Sequence, residues 1–406
     1  MLKSSYLPAL EWLATQQKDM LALVMRWAAI NSHTFNLDGM KQMKSALKET
    51  FQVFQEEIED IDLPPMEFIN SKGHSEFKSL GSAIKLSKRA HAPLQVLLVI
   101  HMDTVYPVDH PSGEVKITEE NILRGPGVCD AKGGIAVLFK ALEAFERFQE
   151  NEKVGWTVVI NPDEEVGSHG SLDFLKKVAQ NKQVGLLYEP CLPSGDLVGA
   201  RKGSGNFTLI VRGRSAHAGR DHHLGRNAVD ALAKCILKIS GLNGSRPGLT
   251  VNVGIIEGGQ ALNVVPDFAL ARLNVRVERE QDEDYVLTAM KFIINEFSKF
   301  DGISVGIHGG FFAPPKTLKG KTLTLLKSFQ SCGQDLGLNL NWQPSGGVCD
   351  GNRLLSFGLP NVDTLGVKGG ATHSPNEYLY IDSLVERAKL SVLFLMKLAD
   401  GTIKKI

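Results

Sequence analysis

No run of about 18 apolar residues occurs in the chain, so no segment is expected to cross a membrane as a helix. Neither sign of charge is in excess: 45 Lys plus Arg stand against 45 Asp plus Glu. That balance removes the electrostatic footprint of a protein that binds nucleic acid or an anionic membrane, and neither partner is expected. Cysteine is scarce. The five residues (129, 191, 235, 332 and 349) are an odd number with no C-x-x-C pair. This argues against a disulfide framework and for a reducing compartment, so a cytoplasmic location is expected. The one candidate apolar segment near the N-terminus is interrupted by Glu11, so no signal peptide is expected either. Internal repeats and low-complexity segments are missing. What remains is an ordinary globular composition in 406 residues, enough for two or three domains.

Short β-branched runs organise what is there. Val96–Ile100 is apolar throughout and stops at His101, which reads as a parallel-sheet strand buried on both faces. Trp156–Ile160 and Val184–Tyr188 repeat the pattern and run into Asn161-Pro-Asp-Glu-Glu-Val-Gly and Glu189-Pro190. Helices are expected over Leu7–Ile30, Lys41–Glu57, Gly134–Phe148, from about Ser171, over 321–336 and over 382–399, with a further strand near Val362–Leu365. A loop with Pro107, Pro111 and Gly113 follows His101, and residues 74–89 read as short edge strands. Gly125-x-Gly127 is not a dinucleotide fingerprint, because it does not join a strand to a helix at the required spacing. Between Gly199 and Pro314 the order changes to strand 205–211, helix 225–239, strand 249–256, strand 268–277, helix 282–297 and strand 303–307. That is βαββαβ, a ferredoxin-like α+β unit. The expected division is 1–200 and 313–406 for an α/β domain with a mostly parallel central sheet flanked by helices, and 201–312 for an inserted unit.

Three buried strands thus deliver His101 and Asp103, Glu164 and Glu165, and Glu189 at their C-terminal ends, where α/β sheets build sites. Asp130 sits among four glycines and His373 in Gly369-Gly-Ala-Thr-His-Ser-Pro. Each alone has a dull explanation: a helix cap for Asp130, a turn residue for His373, solvated surface for the glutamate pair. Together they supply two imidazoles and at least three carboxylates, a suitable set for two divalent ions of zinc type. Two such ions can activate a shared water and polarise a bound carbonyl, and an unliganded carboxylate can shuttle a proton. Adjacent side chains point apart, so one glutamate of the pair can ligate while the other handles a proton. Cys129 beside Asp130 invites a catalytic-cysteine reading, but no partner pattern supports it.

The spaced motifs resemble a known family. They are His-Met-Asp at 101–103, Gly-x-x-Asp-Ala-Lys-Gly-Gly at 127–134, Asp-Glu-Glu-x-Gly at 163–167, Glu189-Pro190, Ser-Ala-His-Ala-Gly at 215–219, Asn263-x-x-Pro266 and Ala371-Thr-His-Ser-Pro375. In this order they resemble the dinuclear-zinc exopeptidase and aminoacylase superfamily. Glutamate carboxypeptidases, succinyl-diaminopimelate desuccinylases and acetylornithine deacetylases belong to it, and the carboxypeptidase branch is the nearest in flavour. The resemblance runs from about residue 20 to the end.

The resemblance implies a zinc-exopeptidase-like catalytic domain with an inserted lid and dimerisation domain, and a homodimer. It implies two zinc ions, with cobalt able to substitute. Asp130 would bridge them, with His101 and Glu189 completing one site and Glu165 and His373 the other. Asp103 would orient His101, Glu164 would be the general base, and His217 would stabilise the oxyanion, in the family often across a dimer interface. Asn263 and Arg276 would hold the substrate, and the peptide bond from Asp130 to Ala131 would be cis. The expected activity is hydrolysis of the amide bond of a peptide or N-acyl amino acid with a free carboxylate. An N-acyl-amino-acid deacylase, a dipeptidase, a single-metal amidase and a catalytically silent binding protein on the same fold stay open.

Overall fold

The computed structural model describes residues 2–110 and 114–404. Pro111 and Gly113, read as part of the loop after His101, lie outside the described residues. A six-stranded mixed sheet runs in the order Ile58–Ile61, Ala83–Lys88, Val154–Asn161, Leu94–His101, Val184–Leu187, Asn361–Val362. The last four are parallel to one another; Ala83–Lys88 pairs antiparallel with Val154–Asn161, and Ile58–Ile61 pairs antiparallel with Ala83–Lys88 at the edge. Val154–Asn161 is buried along its whole length, as a strand covered on both faces must be.

Strand alternation divides the core into two layers. Val96, Leu98 and Ile100 face the larger cluster, which holds the helices Leu7–Ala14, Gln17–Ala28, Gly134–Phe145 and Asp382–Ala399. Leu97 and Val99 face the opposite cluster, with Leu175 of the helix Leu172–Ala179 and Leu354 of the helix Asp350–Ser356. Burying one such side chain contributes about 1.5–3 kcal/mol. At Gly134 the helix comes so near the sheet that a Cβ would lie 2.1 Å from the Tyr188 carbonyl oxygen, which only glycine allows.

A second, wholly antiparallel sheet has the order Thr250–Gly258, Phe268–Val277, Gly203–Arg212, Ser304–Ala313. The helices Ala228–Ser240 and Gln281–Phe297 share one hydrophobic cluster with it, separate from the other two. Along Phe268–Val277 the residues Leu273, Val275 and Val277 are buried while Arg272, Asn274 and Arg276 are half-buried, the expected alternation. The two chain crossings that lead into and out of this unit lie side by side: Arg201 and Lys316 exchange backbone hydrogen bonds of 2.9 and 3.0 Å. Both side chains end on the fully buried Asp363, with Arg201 Nε and Nη2 at 2.8 and 3.0 Å and Lys316 Nζ at 2.7 Å.

The expected helix Leu7–Ile30 is two helices, because the Thr15 hydroxyl bonds the Trp12 carbonyl and ends the first. The expected helix Lys41–Glu57 starts at Leu37, capped by Asn36, and stops at Phe51. Gln55 then turns left-handed (φ 56°), which releases Ile58–Ile61 to become the edge strand. The expected strand Val362–Leu365 shortens to Asn361–Val362, because Asp363 and Thr364 turn their side chains to Arg201 and to the Val198 N–H. The expected short strands within 74–89 are Ser75–Lys78 and Ala83–Lys88, the first paired in a hairpin with Met66–Ile69, while Met66–Ile69 and the small sheet containing Ile122–Arg124 and Tyr378–Tyr380 are too short for periodicity to reveal. Among the described residues no helix is long and apolar enough to cross a membrane.

Candidate metal centre

The parallel strands bring their polar ends together. His101 is the last residue of its strand and stands in register with Asn161, so the Asp163–Val166 turn begins beside it. Glu189 follows the strand on the other side. Asp130 enters on the loop before Gly134–Phe145. Gly127 in that loop has φ 71°, and a Cβ there would meet Thr104 at 2.7 Å. The Asp130–Ala131 peptide bond is cis, as expected. His373 comes from the far end of the chain in a left-handed conformation (φ 60°).

The Asp130 carboxylate lies between two imidazoles. Its Oδ1 is 3.1 Å from His101 Nε2 and its Oδ2 is 3.4 Å from His373 Nε2. Glu189 Oε2 is 3.7 Å from His101 Nε2, and Glu165 Oε2 is 3.2 Å from His373 Nε2. His101 Nδ1 faces the Asp103 carbonyl at 3.0 Å and Asp103 Oδ1 at 3.3 Å, which leaves Nε2 as the nitrogen aimed at the carboxylates. Asp103 is wholly buried. It also accepts from the backbone N–H groups of Glu164 and Glu165, both at 3.2 Å, and from Thr34 Oγ1 at 2.7 Å. One carboxylate thus orients an imidazole and the glutamate pair together.

Burial and mutual repulsion dominate the electrostatics. Burial pushes the Glu165 carboxyl up to about 7, and the Asp130 charge adds to it. Burial, then the Glu189 charge, drive Glu164 well above the usual carboxylate range, and burial raises Glu189. Burial also opposes ionisation of Asp130, but hydrogen bonds from His101 and His373 outweigh it and hold that carboxyl well below its ordinary value. Hydrogen bonds to Asp130 and Glu165 raise His373 to about 11. Three carboxylates gathered this closely repel one another, and a divalent cation is the group that neutralises them. Ligand atoms of His101, Asp130 and Glu165 lie within 4.8 Å of one another, and Glu165 Oε1 is buried without a hydrogen-bond partner. The donor set is imidazole and carboxylate, which suits zinc or a similar ion. His101, Asp130, Glu165, Glu189 and His373 fit such a group.

The other expected residues are placed differently. Among the described residues no hydrogen bond or ion pair links His217, Asn263 or Arg276 to this cluster. His217 is exposed, and its Nδ1 accepts from the N–H groups of Gly219 and Arg220 at 3.1 and 3.2 Å. Its loop runs beside the Asn263 loop, with Ala218 N–H donating to the Asn263 carbonyl at 2.9 Å. Arg276 donates from Nε to Asn274 Oδ1 at 2.8 Å. Arg212 pairs with Phe268 and Ser204 with Arg276. Arg276 and the loops that follow Arg212 and precede Phe268 therefore stand at opposite ends of a strand pair ~27 Å long, taking about 3.4 Å per residue. One chain does not bring Asn263 and Arg276 together. Cys129 is buried and its thiol is pushed well up by burial, so it offers no thiolate.

Sequence reasoning missed Glu377, Tyr106 and Thr34. Thr34 reaches Asp103, and Glu377 and Tyr106 form a buried pair under the Asp130 loop. None stands at the end of an apolar run. The one available signal for Glu377 is its place four residues after His373.

Comparison with known proteins gives a consistent picture. The model of the Peptidase family M20/M25/M40 matches residues 97–397. The chain is 26% identical over 346 residues to carboxypeptidase G2 of Pseudomonas sp. (strain RS-16), covering 80% of this chain and 83% of that protein. It is 28% identical over 280 residues to the succinyl-diaminopimelate desuccinylase of Ehrlichia canis (strain Jake), covering 66% of this chain and 71% of that protein. In fold it is similar to an M20 family metallo-carboxypeptidase from Sulfolobus solfataricus, with a TM-score of 0.73, 20% identity and coverage of 93% and 98% of the two chains.

Proposed function

The chain belongs to the peptidase family M20/M25/M40, matched over residues 97–397, and from that premise we propose that it hydrolyses the amide bond of a peptide or N-acyl amino acid that carries a free carboxylate. The observation that carries this reading is the Asp130 carboxylate, with one oxygen toward each of two imidazoles. In this proposal His101, Glu189 and Asp130 would hold one zinc ion, and Glu165, His373 and Asp130 would hold a second. When bound, such ions lower the pKa of water and polarise the carbonyl under attack.

The remaining work falls to side chains. Glu164 takes a proton on its carboxylate and hands it to the leaving nitrogen, and a raised pKa suits a group that must both accept and give near neutral pH. Asp103 keeps Glu164 and Glu165 at their stations through the two backbone N–H groups. Arg276 holds the substrate carboxylate in its planar fork and so positions the scissile bond. His217 and Asn263 lie away from Arg276, which supports a role for them in a second protomer's site. We therefore also propose a homodimer, with 201–312 as the inserted unit and 1–200 and 313–406 as the catalytic domain.

The test is a screen of zinc-loaded protein on dipeptides and N-acyl amino acids with their C-terminal amides alongside, together with metal analysis. Metal content approaching two equivalents and turnover of acids over amides are expected. Arg276→Ala should cost about 2–4 kcal/mol in kcat/KM on the acids and little on the amides. Equal losses on both would remove Arg276 as the anchor. Metal at or below one equivalent would sink the dinuclear assignment. A folded, loaded protein that hydrolyses nothing in the panel would favour the silent binding protein. The screen also separates a carboxypeptidase from a deacylase, which the likeness to the desuccinylase keeps in view.

A further inference from the structure

One buried carboxylate outside the metal-facing set ties together the two loops that supply Asp130 and His373. Glu377 is 1% exposed and takes four donors. Its Oε1 accepts from the N–H groups of Cys129 at 2.8 Å and Asp130 at 2.9 Å. Its Oε2 accepts from Gly127 N–H at 3.0 Å and from the Tyr106 hydroxyl at 2.5 Å. Two oxygens with about four lone-pair sites are thereby filled, so the side chain has no freedom left. The donors are the backbone of the Asp130 loop itself, and Asp130 N–H is among them.

The same residue closes the other loop. Glu377 N–H donates to the Ser374 carbonyl at 3.2 Å, the Glu377 carbonyl accepts from Gly125 N–H at 3.2 Å, and Tyr106 OH also lies 3.0 Å from the Ser374 carbonyl. His373 lies next to Ser374 in that turn, left-handed and with its side chain half-exposed, so little else restrains it. His101, in contrast, is held by a strand and by Asp103. We propose that Glu377, with Tyr106, is a positioning residue that sets the distance between Asp130 and His373, which are 243 positions apart in sequence. The consequence, which rests on the two-ion reading above, is selectivity: loss of this tie weakens the ion on the His373 and Glu165 side more than the ion on the His101 and Glu189 side.

The experiment is a zinc titration of the full chain against a chromophoric chelator, which reads the two binding constants without reference to turnover. Two steps are expected for the wild type. Glu377→Gln keeps the shape but turns an amide NH2 toward backbone N–H groups. It should weaken one step by about 10- to 100-fold, the usual cost of losing an outer-shell partner, and leave the other near wild type. Tyr106→Phe removes one donor of four and should weaken the same step by less. If Glu377→Gln does not fold, Tyr106→Phe decides. Wild-type constants in every variant that folds, or equal weakening of both steps, would overturn the proposal. A wild type that binds fewer than two ions would remove the two-ion reading and this inference with it, and that failure shows before any variant is made.

Discussion

The two halves of the proposed machinery are built in opposite ways. The five residues that fit metal hang from the ends of parallel strands and from loops tied to them, and Asp103 and Glu377 take the N–H groups of Glu164, Glu165, Gly127, Cys129 and Asp130. Arg276, His217 and Asn263 stand on the second sheet, exposed or half-buried, with Arg276 at one end and the other two at the far end. The first group is complete within one chain. The second is not: its members stand at opposite ends of one strand pair, so they can share a site only if a second protomer contributes. A metal centre tolerates little positional error, so its ligands belong on a rigid sheet. Substrate must enter and leave, so the groups that hold it can sit on a unit joined to the rest at two crossings.

Three experiments press on this contrast. The largest expected effect is within the rigid half. Glu164→Ala should cut kcat by about 10² to 10⁴, the usual worth of a general base, while metal content stays near wild type. Metal loss on Glu164→Ala, with retention on Glu165→Ala, would show that the pair is assigned in reverse.

Next is the joint between the halves. Asp363 is buried between Arg201 and Lys316 at the two crossings. Removing one partner of a buried ion pair typically costs about 3–5 kcal/mol, so Asp363→Asn should show that loss in urea unfolding at neutral pH. Lys238→Ala, which breaks the exposed pair with Glu296 inside the inserted unit, should cost about 0–1 kcal/mol. Although burial opposes its ionisation, the Asp363 carboxyl is held well below the usual range by Arg201 and Lys316. A depressed carboxyl contributes its stability above the unfolded pKa and loses it as pH falls through the folded one. The deficit of Asp363→Asn should therefore be full at neutral pH and shrink only in strong acid. A deficit that closes already near neutral pH would mean another group is responsible.

The smallest signal tests the flexible half. Glu164→Ala and His217→Ala protomers, each nearly inactive, should regain up to about a quarter of wild-type activity when mixed and exchanged. Half the dimers are then hybrids with one intact site, as two-fold symmetry requires. No regain after confirmed exchange would confine His217 to its own chain's site or remove it from catalysis.

Much of this was legible in the linear chain. His101, Glu164, Glu165 and Glu189 follow apolar runs, and a run that ends on a polar residue marks the exit of a buried strand. The alternation over Phe268–Val277 and the periodicity over Asp382–Ala399 gave those elements their observed ends. Local pattern failed where an element owes its form to a distant partner. Ile58–Ile61 is a strand because Ala83–Lys88 pairs with it, and the sequence there reads on from a helix.

What the sequence determined by itself, then, is the donor chemistry and the two kinds of sheet, because burial and side-chain period act over neighbouring residues. Tertiary structure alone decided that Glu377 cradles the Asp130 loop, that Asp363 locks the two crossings, and that the Asn263 loop and Arg276 stand at opposite ends of a strand pair ~27 Å long. Each is a matter of hydrogen-bond or strand register between segments far apart in sequence. A backbone N–H that waits for a carboxylate about 247 residues away leaves no trace in the residue that bears it, since every non-proline residue carries the same donor.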